Sequence, residues 1–343
     1  MSKKFLWIFI FIALLIFYIN KPSGKYPNKF DIAVIQISSA KLKSYITFLD
    51  KDFNVISRMK INCGGLSQCW DFPKIYNGKV FMNVKGTDLW LKSQIAEFDL
   101  SNGKYKLHNV RQKFNTCFTV DEKNIYAANC TGDASIVKYE IKSHTLQKLI
   151  IPDTYITHMK IFNDKLFAFG NSFIYIIETN SMAISKSIDI TNYGIGEYDS
   201  IQIDNDIFFT TYSQINDNFF ETDSNILCKY NLKTGQIKKI MLQDICPKQI
   251  LHYKNKLIIS HEDWHQNGKT LSVYNLDTQQ LNLFEIQNAP YQIYLYEDKI
   301  YSIDRKKIYR YNPETFELEK EFDMDTQNKF GKNFFISGFF CPK

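Results

Sequence analysis

A phrase that returns every forty-odd residues constrains this chain more than anything else in it. A short strand, a tight polar turn and an apolar strand recur as Ile75-Tyr-Asn-Gly-Lys-Val80, Val120-Asp-Glu-Lys-Asn-Ile125, Ile161-Phe-Asn-Asp-Lys-Leu166, Ile203-Asp-Asn-Asp-Ile207, Tyr253-Lys-Asn-Lys-Leu257 and Tyr296-Glu-Asp-Lys-Ile300. From Val80 through Ile125, Leu166, Ile207 and Leu257 to Ile300 the spacings are 45, 41, 41, 50 and 43. A second phrase falls between successive copies: Phe98-Asp-Leu-Ser-Asn-Gly103, Tyr139-Glu-Ile-Lys-Ser-His144, Ile177-Glu-Thr-Asn-Ser181, Tyr230-Asn-Leu-Lys-Thr-Gly235, Tyr274-Asn-Leu-Asp-Thr-Gln279 and Tyr311-Asn-Pro-Glu-Thr315. Asn, Asp and Gly tolerate the left-handed backbone of tight hairpin turns, so each period reads as two hairpins and four antiparallel strands.

Four-stranded units at this period are the blades of a β-propeller. The ends fix their number. Ile32 to Ile37, Tyr45 to Asp50 and Asn54 to Ile61 supply three strands before the first full repeat, and one inner strand is missing. After the last repeat, Asn333-Phe-Phe-Ile-Ser-Gly-Phe-Phe340 is a single strand that would complete the first blade and close the ring. Closure removes the exposed edges that invite aggregation. The expectation is an all-β, seven-bladed propeller over residues 31–343, with six or eight blades as the bounds of the count. Composition agrees: 28 Phe and 21 Tyr against 14 Gly and 8 Pro favour strands joined by short turns.

Lys3 and Lys4 precede an uninterrupted apolar run from Phe5 to Ile19. As a helix its 15 residues rise about 22 Å, short of a ~30 Å hydrocarbon core, so by length it suits a signal peptide as well as a span. Asn20-Lys21-Pro22-Ser23-Gly24-Lys25 offers no small-x-small cleavage site. The reading is an N-terminal hydrophobic helix over residues 1–20, kept as a signal anchor with cleavage and secretion as the alternative, then a linker over 21–30. Lys21, Lys25 and Lys29 would favour an anionic lipid or wall polymer nearby. The net charge of +6 is scattered along the chain, with no basic stripe or reading module, so nucleic acid is not an expected partner.

The Tyr-Asn-Leu-x-Thr-Gly phrase and the blade period give residues 30 to 340 a resemblance to bacterial surface propellers of the YncE or YVTN type and their quinoprotein-like relatives. The YVTN tetrapeptide itself is absent, with Lys-Leu-Phe-Ala-Phe-Gly170 and Lys-Ile-Tyr-Ser-Ile-Asp304 in the comparable strand. The resemblance implies a fold and an extracytoplasmic setting, not an activity. Turns such as Leu232-Lys-Thr-Gly-Gln-Ile237 lack the tryptophan docking signature of quinone-binding enzymes, and no cofactor is expected. The lone Trp70-Asp71 does not recur and is not a WD repeat.

In such blades the first-to-second and third-to-fourth turns share one face, here uniformly tight. The second-to-third connections on the other face swell at residues 84–93, 211–225 and 260–269. Variable loops on a rigid scaffold carry function. They present Trp90, Phe219, Phe220 and Trp264 beside Asp88, Glu221, Asp223, His261 and His265, a mixture suited to peptide or sugar; packing of the loops onto blade tops is the alternative. Trp70, Thr116, His158, Tyr198, Gln249 and Tyr291, approaching the inner strands on that face, would rim the channel, as a pocket or as channel filling. His261-Glu-Asp-Trp-His265 has ligand types for a transition metal but not the helical His-Glu-x-x-His spacing, so a solvated polar loop competes with a metal site at His261 and His265. Seven cysteines leave at least one unpaired; Cys117 with Cys130 and Cys63 with Cys69 are the candidate disulfides, against buried thiols. No Gly-x-Ser-x-Gly elbow occurs. The leading expectation is an exported, monomeric, non-catalytic propeller that binds a protein, peptide or envelope glycan; the alternative is a lyase or hydrolase with a pocket at the channel mouth near His158 and His261.

Overall fold

The computed structural model describes residues 24–38, 41, 43–67, 71–86, 91–112, 115–129, 133–196, 199–215, 221–262, 268–324 and 334–342. The apolar run from Phe5 to Ile19 lies outside them, and with it the expected N-terminal helix. The described residues form seven four-stranded antiparallel sheets and one two-stranded ribbon. In chain order the innermost strands of blades 2 to 7 are Lys74–Tyr76, Asn115–Val120, Ile156–Phe162, Ser200–Ile203, Pro247–Tyr253 and Gln292–Tyr296. Blade 1 takes its innermost strand, Phe335–Phe340, from the far end of the chain, where it pairs with Ile32–Ile37. The all-β, seven-bladed arrangement closed by a C-terminal strand therefore stands as expected from the repeat.

Position within a blade decides how its strands are patterned. Ile32–Ile37 is buried at every residue, and the second strands of blades 4, 5 and 6 read Leu-Phe-Ala-Phe, Ile-Phe-Phe-Thr and Leu-Ile-Ile-Ser without alternation. Both faces of such a strand are covered by neighbouring blades, so period-two patterning is not needed. The outermost strand Ala183–Asp189 is exposed at six of its seven positions.

The third-to-fourth turn shows why the second sequence phrase recurs. Asn231 Oδ1 accepts from the backbone N–H of Lys233 and Thr234, Asn275 Oδ1 from Asp277 and Thr278, and Asn312 Oδ1 from Glu314 and Thr315. An Asn or Asp there holds the turn through its own side chain. The turn closes on one left-handed residue in every blade: Phe53, Gly103, His144, Met182, Gly235, Gln279 and Phe316, with φ running from 56° at Met182 to 71° at Gly235.

The segment ahead of blade 1 is packed rather than loose. Tyr26 meets Phe48 and Phe98 edge-on at 5.4 and 5.8 Å, and its hydroxyl donates to the Leu100 carbonyl. Gly103 makes room for it, since a Cβ there would come within 2.3 Å of the Tyr26 ring. The chain thus reaches the propeller on the face of the short turns.

Candidate functional site

The two faces differ as the sequence suggested, although two of the long connections are more ordered than loops. In blade 2 the strands Lys79–Gly86 and Leu91–Asp99 run on as a long hairpin. In blade 5 the connection carries the ribbon Ser213–Ile215 with Glu221–Asp223, tied down by an Ile195–Ser213 bridge and by Ser213 donating to Glu221 at 2.5 Å. Glu221 and Asp223 are exposed. Trp70, Asp88, Trp90, Tyr198, Phe219, Phe220, Trp264 and His265 lie outside the described residues, as do Cys69 and Cys130. Cys63 and Cys117 are buried, and the register sets Ala128 opposite Cys117.

The residues that approach the inner strands form a ring of joints between blades. Going round from blade 1, Ser337 donates to the Leu66 carbonyl (2.8 Å), Phe118 N–H donates to Asp71 (2.6 Å), and Thr116 donates to the Ile156 carbonyl (3.1 Å). His158 Nε2 meets Ser200 Oγ (2.8 Å), Ile250 N–H donates to Asp199 (3.0 Å), and Ile293 N–H donates to Gln249 (2.7 Å). Gln292 completes the circle with two bonds to Phe339, accepting from its N–H at 2.9 Å and donating to its carbonyl at 3.1 Å. Each joint satisfies a buried polar group at the seam of two sheets, where an unpaired one costs about 1–3 kcal/mol. Thr116, His158 and Gln249, read from sequence as channel rim, are engaged in these joints.

Two buried histidines, His158 and His261, are held by their surroundings. Burial, with Lys74 and Lys160 nearby, pushes the His158 imidazole well below its ordinary range, so the ring is neutral. His261 is fully buried, and its Nδ1 contacts the Ile245 carbonyl while Nε2 contacts Ser272 Oγ, both at 2.8 Å. A carbonyl only accepts, so Nδ1 carries the proton and Nε2 accepts from the serine hydroxyl. Neither nitrogen of His261 is left to ligate a metal. Among the described residues no group of three or more His, Cys, Asp or Glu is arranged to hold one. The serine beside each imidazole, Ser200 or Ser272, is as buried as the ring itself, so neither pair faces substrate.

A different cluster gathers where the innermost strands begin. Lys248 Nζ lies 4.5 Å from the centre of the Tyr291 ring and 5.6 Å from that of Phe72, and it donates to Glu262. The Arg305 guanidinium stacks 4.0 Å from the same Tyr291 ring and 5.4 Å from Phe335. Phe72 meets Tyr291 edge-on at 5.6 Å. These side chains come from blades 1, 2, 6 and 7 and so converge across the axis. Burial, and then the Arg305 charge, push the Lys248 ammonium down to about 7. Of this cluster only Tyr291 stood among the sequence candidates. Lys248 and Arg305 gave no local signal, because no motif joins them, and Glu262 stood out only as part of the His261–His265 stretch.

Two shallow cavities of about 450 and 220 Å³ lie at the short-turn ends of the outer strands of blades 3 and 5, lined by lysine, asparagine and threonine without an aromatic ring.

No protein-family model matches the sequence, and no curated protein matches it. Among solved structures, the WD40 domain of Pan2 from Neurospora crassa is similar over 82% of this chain and 85% of that one, at 11% identity and a TM-score of 0.57. BamB from Moraxella catarrhalis is similar over 88% and 87%, at 11% identity and 0.54, and the AfRom2 CNH domain over 87% and 97%, at 8% identity and 0.52. At these identities the likeness is one of fold. It places the chain among β-propellers and leaves activity to be argued from the site.

Proposed function

We propose that this chain is an exported, membrane-anchored and non-catalytic propeller that binds a protein, peptide or envelope glycan through its long-loop face, in the manner of the YncE or YVTN surface propellers it resembles. The observation that carries the reading is the contrast between the faces. One bears short turns of two to six residues and receives the N-terminal segment beside Tyr26. The other bears the blade 2 hairpin, the blade 5 ribbon and the connection after His261. An anchor attached on the first face leaves the second pointing away from the membrane. The BamB likeness shows that the fold occurs in a bacterial protein of that name and supports the reading no further.

The test is capture from native membranes by the full chain in mild detergent, compared with a Trp90→Ala, Trp264→Ala double variant. The proposal expects a discrete partner whose recovery falls at least tenfold in the variant, as removal of two aromatic contacts of 1–2 kcal/mol each would give. Recovery unchanged by both substitutions would exclude the long-loop face as the binding surface.

A further inference from the structure

We infer that the channel end at which the innermost strands begin is a binding site for a carboxylate, held between Arg305 and Lys248 on the Tyr291 ring. The inference stands apart from the long-loop aromatics and uses none of them. Both cations lie over one ring, at 4.0 and 4.5 Å from its centre, so they are no further apart than those two distances together. Like charges held so close in a partly buried setting repel, and an anion between them relieves the repulsion. Lys248 has a carboxylate already, from Glu262. Arg305 is half-buried, and among the described residues it has no ion pair and no side-chain hydrogen bond. Its stacking fixes the plane of the fork while leaving its N–H edge for a bidentate acceptor.

Charge selects the class of anion. The seven innermost strands carry three lysines, Lys74, Lys160 and Lys248, and not one Asp or Glu. Asp71 pairs with Lys74 at 3.0 Å, Asp199 lies 3.6 Å from Lys160, and Glu262 takes Lys248. With His158 neutral, the surplus around the axis is the single charge of Arg305. One carboxylate balances it, whereas a phosphate dianion overshoots. The Lys248–Glu262 contact shows that the same surroundings accept a carboxylate. The ligand is therefore a free organic acid or an acidic side chain of a polypeptide, which offer the same group.

The probes are succinate, a tetraglutamate peptide and inorganic phosphate, each titrated at matched ionic strength into the full chain in mild detergent, with heat of binding and thermal midpoint as readouts. Saturable binding of succinate that weakens about tenfold or more in Arg305→Gln, and only partly in Arg305→Lys, supports the site with a free acid as its ligand. The same dependence seen with tetraglutamate alone supports it with an acidic chain. Among the described residues Arg305 makes no ion pair, so the thermal midpoint of unliganded Arg305→Gln should fall only by the loss of its stacking on Tyr291 and Phe335, and binding compared well below both midpoints separates lost binding from lost folding. The inference is overturned if neither carboxylate binds, if binding is the same in Arg305→Gln, or if phosphate binds more tightly than both.

Discussion

Glu97 shows how much a single side chain contributes at a seam. Its carboxylate takes His108 Nε2 at 2.7 Å and Lys79 Nζ at 2.5 Å, and His108 in turn meets Tyr139 of blade 3 edge-on at 5.6 Å. The His108 hydrogen bond, opposed by burial and helped by Lys79, holds the Glu97 carboxyl down at about 2, from 4.5 ordinarily. A depressed carboxyl stabilises the fold fully above its unfolded value and loses that contribution as the pH falls towards the folded one. Glu97→Gln should therefore cost about 2–3 kcal/mol at pH 7. The gap between variant and parent should narrow from about pH 4.5 down to about pH 2. Urea midpoints measured across that range check it. Nothing in the sequence joins these residues: Glu97 faces Lys106 and His108 faces Ile95, so they meet diagonally, and only the register of two strands makes them neighbours.

At the level of the turn, the sequence was legible where chemistry is local. Asn231, Asn275 and Asn312 announced their hairpins because an asparagine caps a turn within three residues of itself. The left-handed position that follows was legible at Gly103 and Gly235 only. His144, Met182, Gln279 and Phe316 adopt the same backbone with φ near 60° because the blade requires it, not because their side chains favour it. Gln279 is exposed and stands where the matching phrase has Gly235. Glycine avoids the roughly 1–2 kcal/mol cost of a left-handed residue but gives part of it back as unfolded-chain entropy. Gln279→Gly is expected to raise stability by about 0.5–1 kcal/mol, read as a higher urea midpoint with an unchanged slope. The joints between blades were illegible for the opposite reason. Asp71 and Phe118 stand 47 residues apart and Gln249 and Ile293 44, so a polar residue ahead of a strand does not reveal the amide it will meet.

For the molecule as a whole, ring closure rests on a few contacts of Phe335–Phe340. Besides pairing with Ile32–Ile37, this strand exchanges two hydrogen bonds with Gln292, one in each direction, and donates from Ser337 to the Leu66 carbonyl. It packs so closely that a Cβ at Gly338 would fall 2.7 Å from Ser67 Oγ and 3.2 Å from the Pro73 ring. Deleting residues 334–343 removes both seams of blade 1 and uncovers the edge of Ile32–Ile37. The shortened protein is expected to lose its single cooperative unfolding transition and to associate through that edge, by calorimetry and by size-exclusion chromatography. That the count of blades was readable from sequence and the closing bonds were not follows from the same geometry: repeats are local, and closure joins the two ends.

The borrowed strand also sets an order of events. Three strands of blade 1 leave the ribosome before those of any other blade, and its fourth leaves after all of them. Until Phe335–Phe340 is free, the blades form an arc with two raw ends, however well the middle ones have formed. A propeller built this way cannot close before its closing strand is out, and a product cut short ahead of that strand is marked as incomplete by the edge it shows.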